Sequence, residues 1–250
     1  MRKNYLYPSF FIGLASFSGC SSLYMPNVPA TPMLRESGEV YVAAHSSMKG
    51  NLSANAAVAI SPHVALLANG SYREHAKESA RQELFDQKIV EGGIGYFTKV
   101  GKAKKQLFEV YAGYGLGRSR QDDRRAGLRG METQELREMD FDKIFVQVNY
   151  SSTKQDRVQL FGKKRTISYG TAIRFSRVAM QDFKINKIEQ TKEEAYFAEP
   201  LFFTRLELNK GLQLQYTNGF NVNLLSNEYL KAGNAVFTLG LAYNFYRKKK

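Results

Sequence analysis

Apolar and polar residues alternate with a period of two through much of this 250-residue chain. In GLQLQYTNGF, Leu212, Leu214, Tyr216 and Phe220 share one parity, and Gln213, Gln215, Thr217 and Gly219 take the other. QLFEVYAGYGLG sets Phe108, Val110, Ala112, Tyr114 and Leu116 against Glu109, Gly113 and Gly115. TISYGTAIRFS sets Ile167, Tyr169, Ile173 and Phe175 against Ser168, Gly170, Ala172 and Arg174. Successive side chains of an extended chain point to opposite faces, so these rows predict strands with one greasy and one lean face. No stretch sustains the 3.6-residue repeat of an amphipathic helix strongly enough to compete.

The same parity predicts ten strands, over 39–48, 51–60, 64–73, 87–98, 106–117, 142–152, 166–178, 196–208, 212–222 and 233–245, with eight to twelve as the bounds. Ser61-Pro62-His63, Asn209-Lys210-Gly211 and 99–105 make short connections, whereas 74–86, 118–141 and 179–194 are long and polar. Two connections break the alternation: 153–165 is long where a short turn is due, and 47–50 is short where a loop is due. Short turns at one end and long loops at the other are the rhythm of membrane barrels. The expected fold class is therefore all-β, an antiparallel up-and-down transmembrane β-barrel of about ten strands.

Period alone does not say which face is outside, because a soluble barrel and a membrane barrel share it. The lean face is the informative one. A water-facing exterior would be covered with Lys, Glu, Arg and Thr. Here it is rich in Gly, Ala, Ser, Asn and Gln, with Glu91, Glu109, Arg174, Glu199, Arg205 and Glu207 as its candidate charges. Small groups and paired ions are what the bore of a narrow barrel can hold. The greasy face carries Tyr72, Tyr114, Tyr243 and Phe245 near strand ends, as interfacial aromatic girdles do. A Lys or Arg at a lipid-facing midplane position would cost about 2–4 kcal/mol, and this parity mostly avoids one. The expectation is greasy side out, against lipid.

Charge and cysteine add two constraints. The net charge of +13 makes nucleic acid the first partner to test. The cations lie between strands, as in RSRQDDRRAGLRG, and in the basic tail 247–250, not on one helix or aromatic platform, so no nucleic-acid partner is expected. Outer-membrane lipid, and anionic glycolipid at the external loops, fit the charge better. Cys20 is the only cysteine, so no disulfide forms within the chain. It follows Arg2, Lys3 and an apolar run through Phe11, Ile12 and Leu14, the layout of an export signal over 1–19.

FSGC resembles the lipobox of bacterial lipoproteins, with Ser18 and Gly19 at the small positions and Phe17 where Leu is usual. The resemblance implies a lipid on Cys20; an ordinary cleaved signal with an incidental Cys is the alternative. No Asp follows Cys20, so the inner-membrane retention pattern is not met. Pro26, Pro29 and Pro32 keep 20–38 extended, a periplasmic tether whose wording resembles that of uncharacterised small outer-membrane β-barrel lipoproteins. Thr238-Leu239-Gly240-Leu241-Ala242-Tyr243-Asn244-Phe245 resembles the terminal strand that the barrel-insertion machinery reads, with Thr238, Gly240, Tyr243 and Phe245 at its specified places. Tyr246 and RKKK depart from it by following the last Phe. The resemblance implies a bacterial outer-membrane protein with barrel 39–246, N-terminus anchored on the periplasmic side and long loops external.

The search for chemistry is short. His45, His63 and His75 stand apart, without the spacing of a metal site, and no cofactor is expected. Gly113, Gly115 and Gly117 lie on a strand face and do not open a helix, which excludes a dinucleotide loop. An omptin-like hydrolase would need Asp122, Asp123 and His75 to converge at the outer rim. His45 and Ser46 of HSS point to opposite strand faces, so no deacylase triad follows. No catalytic residue is assigned. The expected role is structural, binding or narrow-pore; the alternatives are a rim hydrolase and a soluble periplasmic barrel lipoprotein carrying an apolar ligand.

Overall fold

The computed structural model describes residues 22–47, 50–77, 81–101, 104–127, 130–152, 156–160, 163–233 and 235–246. Ten strands form the wall: β1 Glu39–Ser47, β2 Asn51–Ala59, β3 Val64–Lys77, β4 Arg81–Val100, β5 Gln106–Gly127, β6 Gly130–Ser152, β7 Lys163–Ile185, β8 Glu194–Asn209, β9 Leu212–Phe220 and β10 Ala235–Tyr246. Each pairs antiparallel with its neighbours in sequence, and β10 pairs with β1 from Glu39↔Tyr246 to Ser47↔Thr238. The sheet is thus a closed up-and-down barrel, and closure leaves no edge along its seam. Every one of the ten expected strands corresponds to one of these.

One end holds the connections 60–63, 101–105, 153–162 and 210–211, together with Glu39 and Tyr246; we call it the turn end. The opposite, loop end holds 48–50, 78–80, 128–129, 186–193 and 221–234. The stretch 153–165, long where a short turn was due, contributes a short strand Asp156–Leu160 that pairs back on the start of β7.

The wall is uneven. β1, β2 and β9 have nine residues each, whereas β5 has 22 and β6 and β7 have 23. Much of what reads as long polar loops is strand: β5 continues to Gly127, β6 begins at Gly130 and β7 runs to Ile185. The physical reason is that alternation continues in charged residues that pair across strands. Arg118 meets Asp140 and Arg120 meets Glu138 in register.

Apolar side chains face outward. Val90 is 64% exposed, Phe175 54% and Leu116 53%, and Tyr72, Tyr114, Tyr243 and Phe245 are exposed beside them. Inward positions are mostly small, polar or aromatic, with a few aliphatic residues such as Leu67, Ile89, Leu107, Val178 and Leu201. Phe145 lies against Gly113, Phe141 against Gly117 and Phe203 against Gly170, where a Cβ would collide with the ring. Large rings thus fill the space left by glycines across the bore, the packing of a core and not of a channel.

The segment expected as a tether outside the barrel runs inside it. Leu23, Tyr24, Asn27, Val28, Ala30, Thr31, Met33 and Leu34 are all buried, and Leu23, Tyr24, Ala30, Met33 and Leu34 join inward side chains of the wall in its three apolar clusters. A chain with apolar residues at this density has no stable place in water, and the polar wall offers partners for its backbone. Cys20, the signal segment and the tail 247–250 lie outside the described residues.

Candidate functional site

Two polar levels cross the bore. Toward its middle, β4, β6, β7 and β8 aim Glu91, Lys143, Arg174 and Glu199 inward. The Lys143 ammonium lies 3.2 Å from Glu91 and 3.3 Å from Glu199. The Arg174 guanidinium lies 3.1 Å from Glu91 and donates two bonds, of 2.9 and 2.7 Å, to the Gln147 side-chain oxygen. Asn69 donates to Glu91 at 3.0 Å and Ser176 to Glu199 at 2.7 Å. Two acids balance two bases, so the girdle is neutral as a unit. Its cations also sit over rings, Arg174 at 4.5 Å from Phe145 and Lys143 at 5.7 Å from Tyr24.

The second level grips the threaded segment by its backbone. Gln87 bonds Met25 twice, accepting from its N–H at 2.8 Å and donating to its carbonyl at 2.7 Å. Asn55 donates to the Val28 carbonyl at 3.1 Å. Gln147 and Asn149 donate to the Ala30 carbonyl at 2.6 and 3.2 Å. Arg205 donates to the Thr31 carbonyl and, at 3.0 Å, to its hydroxyl. Glu109 accepts the N–H groups of Met33 at 3.3 Å and Leu34 at 3.2 Å. Pro26, Pro29 and Pro32 carry no N–H, which removes three donors that burial would leave to satisfy. The carbonyl of Pro32 accepts from Asn244 at 3.0 Å.

Each residue singled out from the sequence has a place in this scheme. Glu91, Arg174 and Glu199 meet in the girdle; Glu109 and Arg205 hold the segment; Glu207 lines a cavity of about 390 Å³ at the turn end with Arg35 and Lys210. Thr238 and Gly240 face the bore, and Gly240 is required, since a Cβ there would strike the Ala44 carbonyl and the His45 ring. Tyr243 and Phe245 face outward, stacked with ring centroids 5.4 Å apart. Sequence reasoning missed Lys143, Gln147, Asn149 and Gln87. Parity in FDKIFVQVNY held the signal for three of them, because Lys143, Gln147 and Asn149 alternate with the outward Ile144, Val146 and Tyr150.

The three candidate rim residues lie on two strands, Asp122 and Asp123 on β5 and His75 on β3. Asp122 is buried on β5 and accepts two bonds from Arg124, at 2.9 and 2.7 Å. His75 lies on β3, with β4 between it and β5, and its side chain lies outside the described set. His45 faces the bore and Ser46 the exterior, while His63 at the turn end sits 3.1 Å from the Phe97 carbonyl oxygen. Among the described residues no group of three or more His, Cys, Asp or Glu could hold a metal.

No protein-family model matches the chain, and no curated protein is significantly similar to it in sequence. The class therefore rests on architecture: a closed ten-stranded β-barrel, apolar outside, polar inside and filled by its own N-terminal segment.

Proposed function

We propose that this is a bacterial outer-membrane β-barrel lipoprotein with a structural or binding role, closed to bulk solute by the segment in its bore. The observation that carries the reading is the exterior: apolar side chains from all ten strands stand exposed as one belt, far more than a soluble monomer displays. Above that belt the outward positions turn charged at one register, Lys88↔Arg118↔Asp140, as expected where strands leave hydrocarbon. The export signal, the lipobox-like FSGC and the terminal-strand pattern support the same compartment.

The lipid partner is best sought at the turn end. Loop-end cations such as Arg118, Arg177 and Lys184 are already paired with Asp140, Glu194 and Asp182. The connection between β4 and β5, by contrast, carries Lys102, Lys104 and Lys105 in its sequence with no acid, while Lys99 at the end of β4 pairs with Glu36 at 3.6 Å. Lys104 and Lys105 sit at the turn end, where the phosphates of the adjoining leaflet would lie.

Membrane fractionation, followed by gel migration with and without boiling, tests the class. We expect the protein in the outer-membrane fraction, with a folded form that migrates differently until heated. A mature protein that is monodisperse in detergent-free buffer would refute the reading.

A further inference from the structure

The threaded segment has a direction, and the direction fixes where the chain upstream of it goes. Leu34 and Met33 are held by Glu109 near the turn end, where Arg35 donates to Glu39 at 2.6 Å and Gly38, at φ 84°, reverses the chain into β1. Met25 is held by Gln87, well along β4 toward the loop end. The Leu23 carbonyl accepts from Ser119, thirteen positions along β5 from Gln106. Tyr24 then pairs with the loop-end connection 221–234 itself: its N–H donates to the Lys231 carbonyl at 3.3 Å, and its carbonyl accepts from Gly233 at 3.1 Å. Ten residues separate Tyr24 from Leu34, an extended reach of about 33 Å. That suffices to cross an apolar belt about 25 Å tall.

From this we infer that the chain upstream of Ser22 leaves the barrel at the loop end, so that the mature N-terminus is displayed on the cell surface with the segment as its leash through the wall. The inference rests on the outer-membrane reading above. Cys20 lies two residues before Ser22, a reach of roughly 7 Å, too short to return through or around the barrel to the turn end. A lipid on Cys20 would accordingly enter the outer leaflet, not the periplasmic one. The expected periplasmic anchor assumed that N-terminus and β1 begin on the same side; threading inverts that. It also orders assembly. An acylated end has no path through a bore packed with Phe141, Phe145 and Phe197, so the β1–β10 seam must close around a segment already in place.

The test uses the full chain with an epitope tag at one of three places: between Ser21 and Ser22, in the 128–129 connection, or after Lys250. Antibody is added to intact and to permeabilised cells. We expect the first two tags to label on intact cells and the third only after permeabilisation. An N-terminal tag that labels with the C-terminal one, while the 128–129 tag is at the surface, overturns threading and leaves the membrane reading standing. Absence of the untagged protein from the outer membrane overturns both. Should a tag prevent folding, the double variant Y24C/A232C on a C20S background gives an untagged readout, because these two residues form a backbone bridge. Oxidation to a faster-migrating species is expected. A heat-modifiable barrel that stays reduced under oxidant would sink the inference.

Discussion

Glu91 and Glu109 are both fully enclosed carboxylates on neighbouring strands, yet they are satisfied in different ways. Glu91 faces two cations, Lys143 and Arg174, and needs only the wall. Glu109 has no cation within ion-pair distance among the described residues. It takes N–H bonds from Met33 and Leu34, a hydroxyl bond from Tyr111 at 3.0 Å and an amide bond from Asn149 at 3.3 Å. A buried carboxylate is tolerable only with such a full set of donors. The girdle thus forms its ion pairs within the wall, with Lys143 also over the Tyr24 ring, whereas Glu109 is complete only with the segment inside. The barrel and its N-terminal segment form one folding unit, not a barrel with an accessory.

The harshest way to break that comparison is to delete residues 23–34. The girdle would keep its ion pairs, while Gln87 would lose both its bonds to Met25, and Glu109, Arg205 and Asn149 would lose the bonds they make to the segment and keep only those to the wall. Hydrogen bonds to charged groups contribute about 1.5–3 kcal/mol each, so the sum exceeds what a marginally stable domain can spare unless water enters. Water entry is the expected outcome. In planar bilayers the intact protein should show no large, steady conductance, and the deletion variant should show one. Equal conductance from both would mean the segment does not close the bore.

Lys143→Met inverts the experiment, since it spares the segment and attacks the girdle. Glu199 loses its ion-pair partner and Glu91 one of two. Removing one member of a buried pair typically costs about 3–5 kcal/mol. Urea unfolding in lipid vesicles should register a loss of that order, with conductance unchanged. A variant as stable as the parent would mean that the girdle is hydrated and contributes little. A stable variant that conducts would place the seal at the girdle instead of along the segment.

The wall was legible from sequence because its signal is local. Leu212, Leu214 and Tyr216 report their face to anyone counting by two, and the tight turns at Pro62 and Gly211 mark the ends. The upper halves of β5 to β7 were not legible. RSRQDDRR alternates only in combination with the β6 acids it pairs with, and that pairing is a non-local fact. The segment 22–34 was misplaced for a related reason. Pro26, Pro29 and Pro32 announce an extended chain, but extension looks the same in solvent and in a bore. What distinguishes the two is the set of side chains contributed by strands far away in sequence, such as Gln215, which lies 184 positions from Thr31. Lys143, Gln147 and Asn149 are the exceptions that parity alone could have found.

Outside the belt the same chemistry counts for far less, and the Arg118–Asp140 pair measures by how much. Its geometry is favourable, with bidentate bonds of 2.5 and 2.7 Å, but the Arg118 side chain is 75% exposed and water screens it. The bond from Arg118, aided by its charge, holds the Asp140 carboxyl below the ordinary aspartate range against the opposing effect of partial burial. A carboxyl depressed in the folded state stabilises above its unfolded pKa, near 3.9, and that contribution fades as pH falls through the lower folded value. Exposed pairs of this kind contribute about 0.2–1 kcal/mol. Arg118→Met should therefore lower unfolding free energy by no more than about that amount at pH 7, and the difference from the parent should shrink toward zero as pH drops through the depressed folded-state value. A gap that persists at low pH would assign the effect to the guanidinium's packing across β6, not to the ion pair. A gap as large as that of Lys143→Met would erase the contrast between the enclosed girdle and the wet rim.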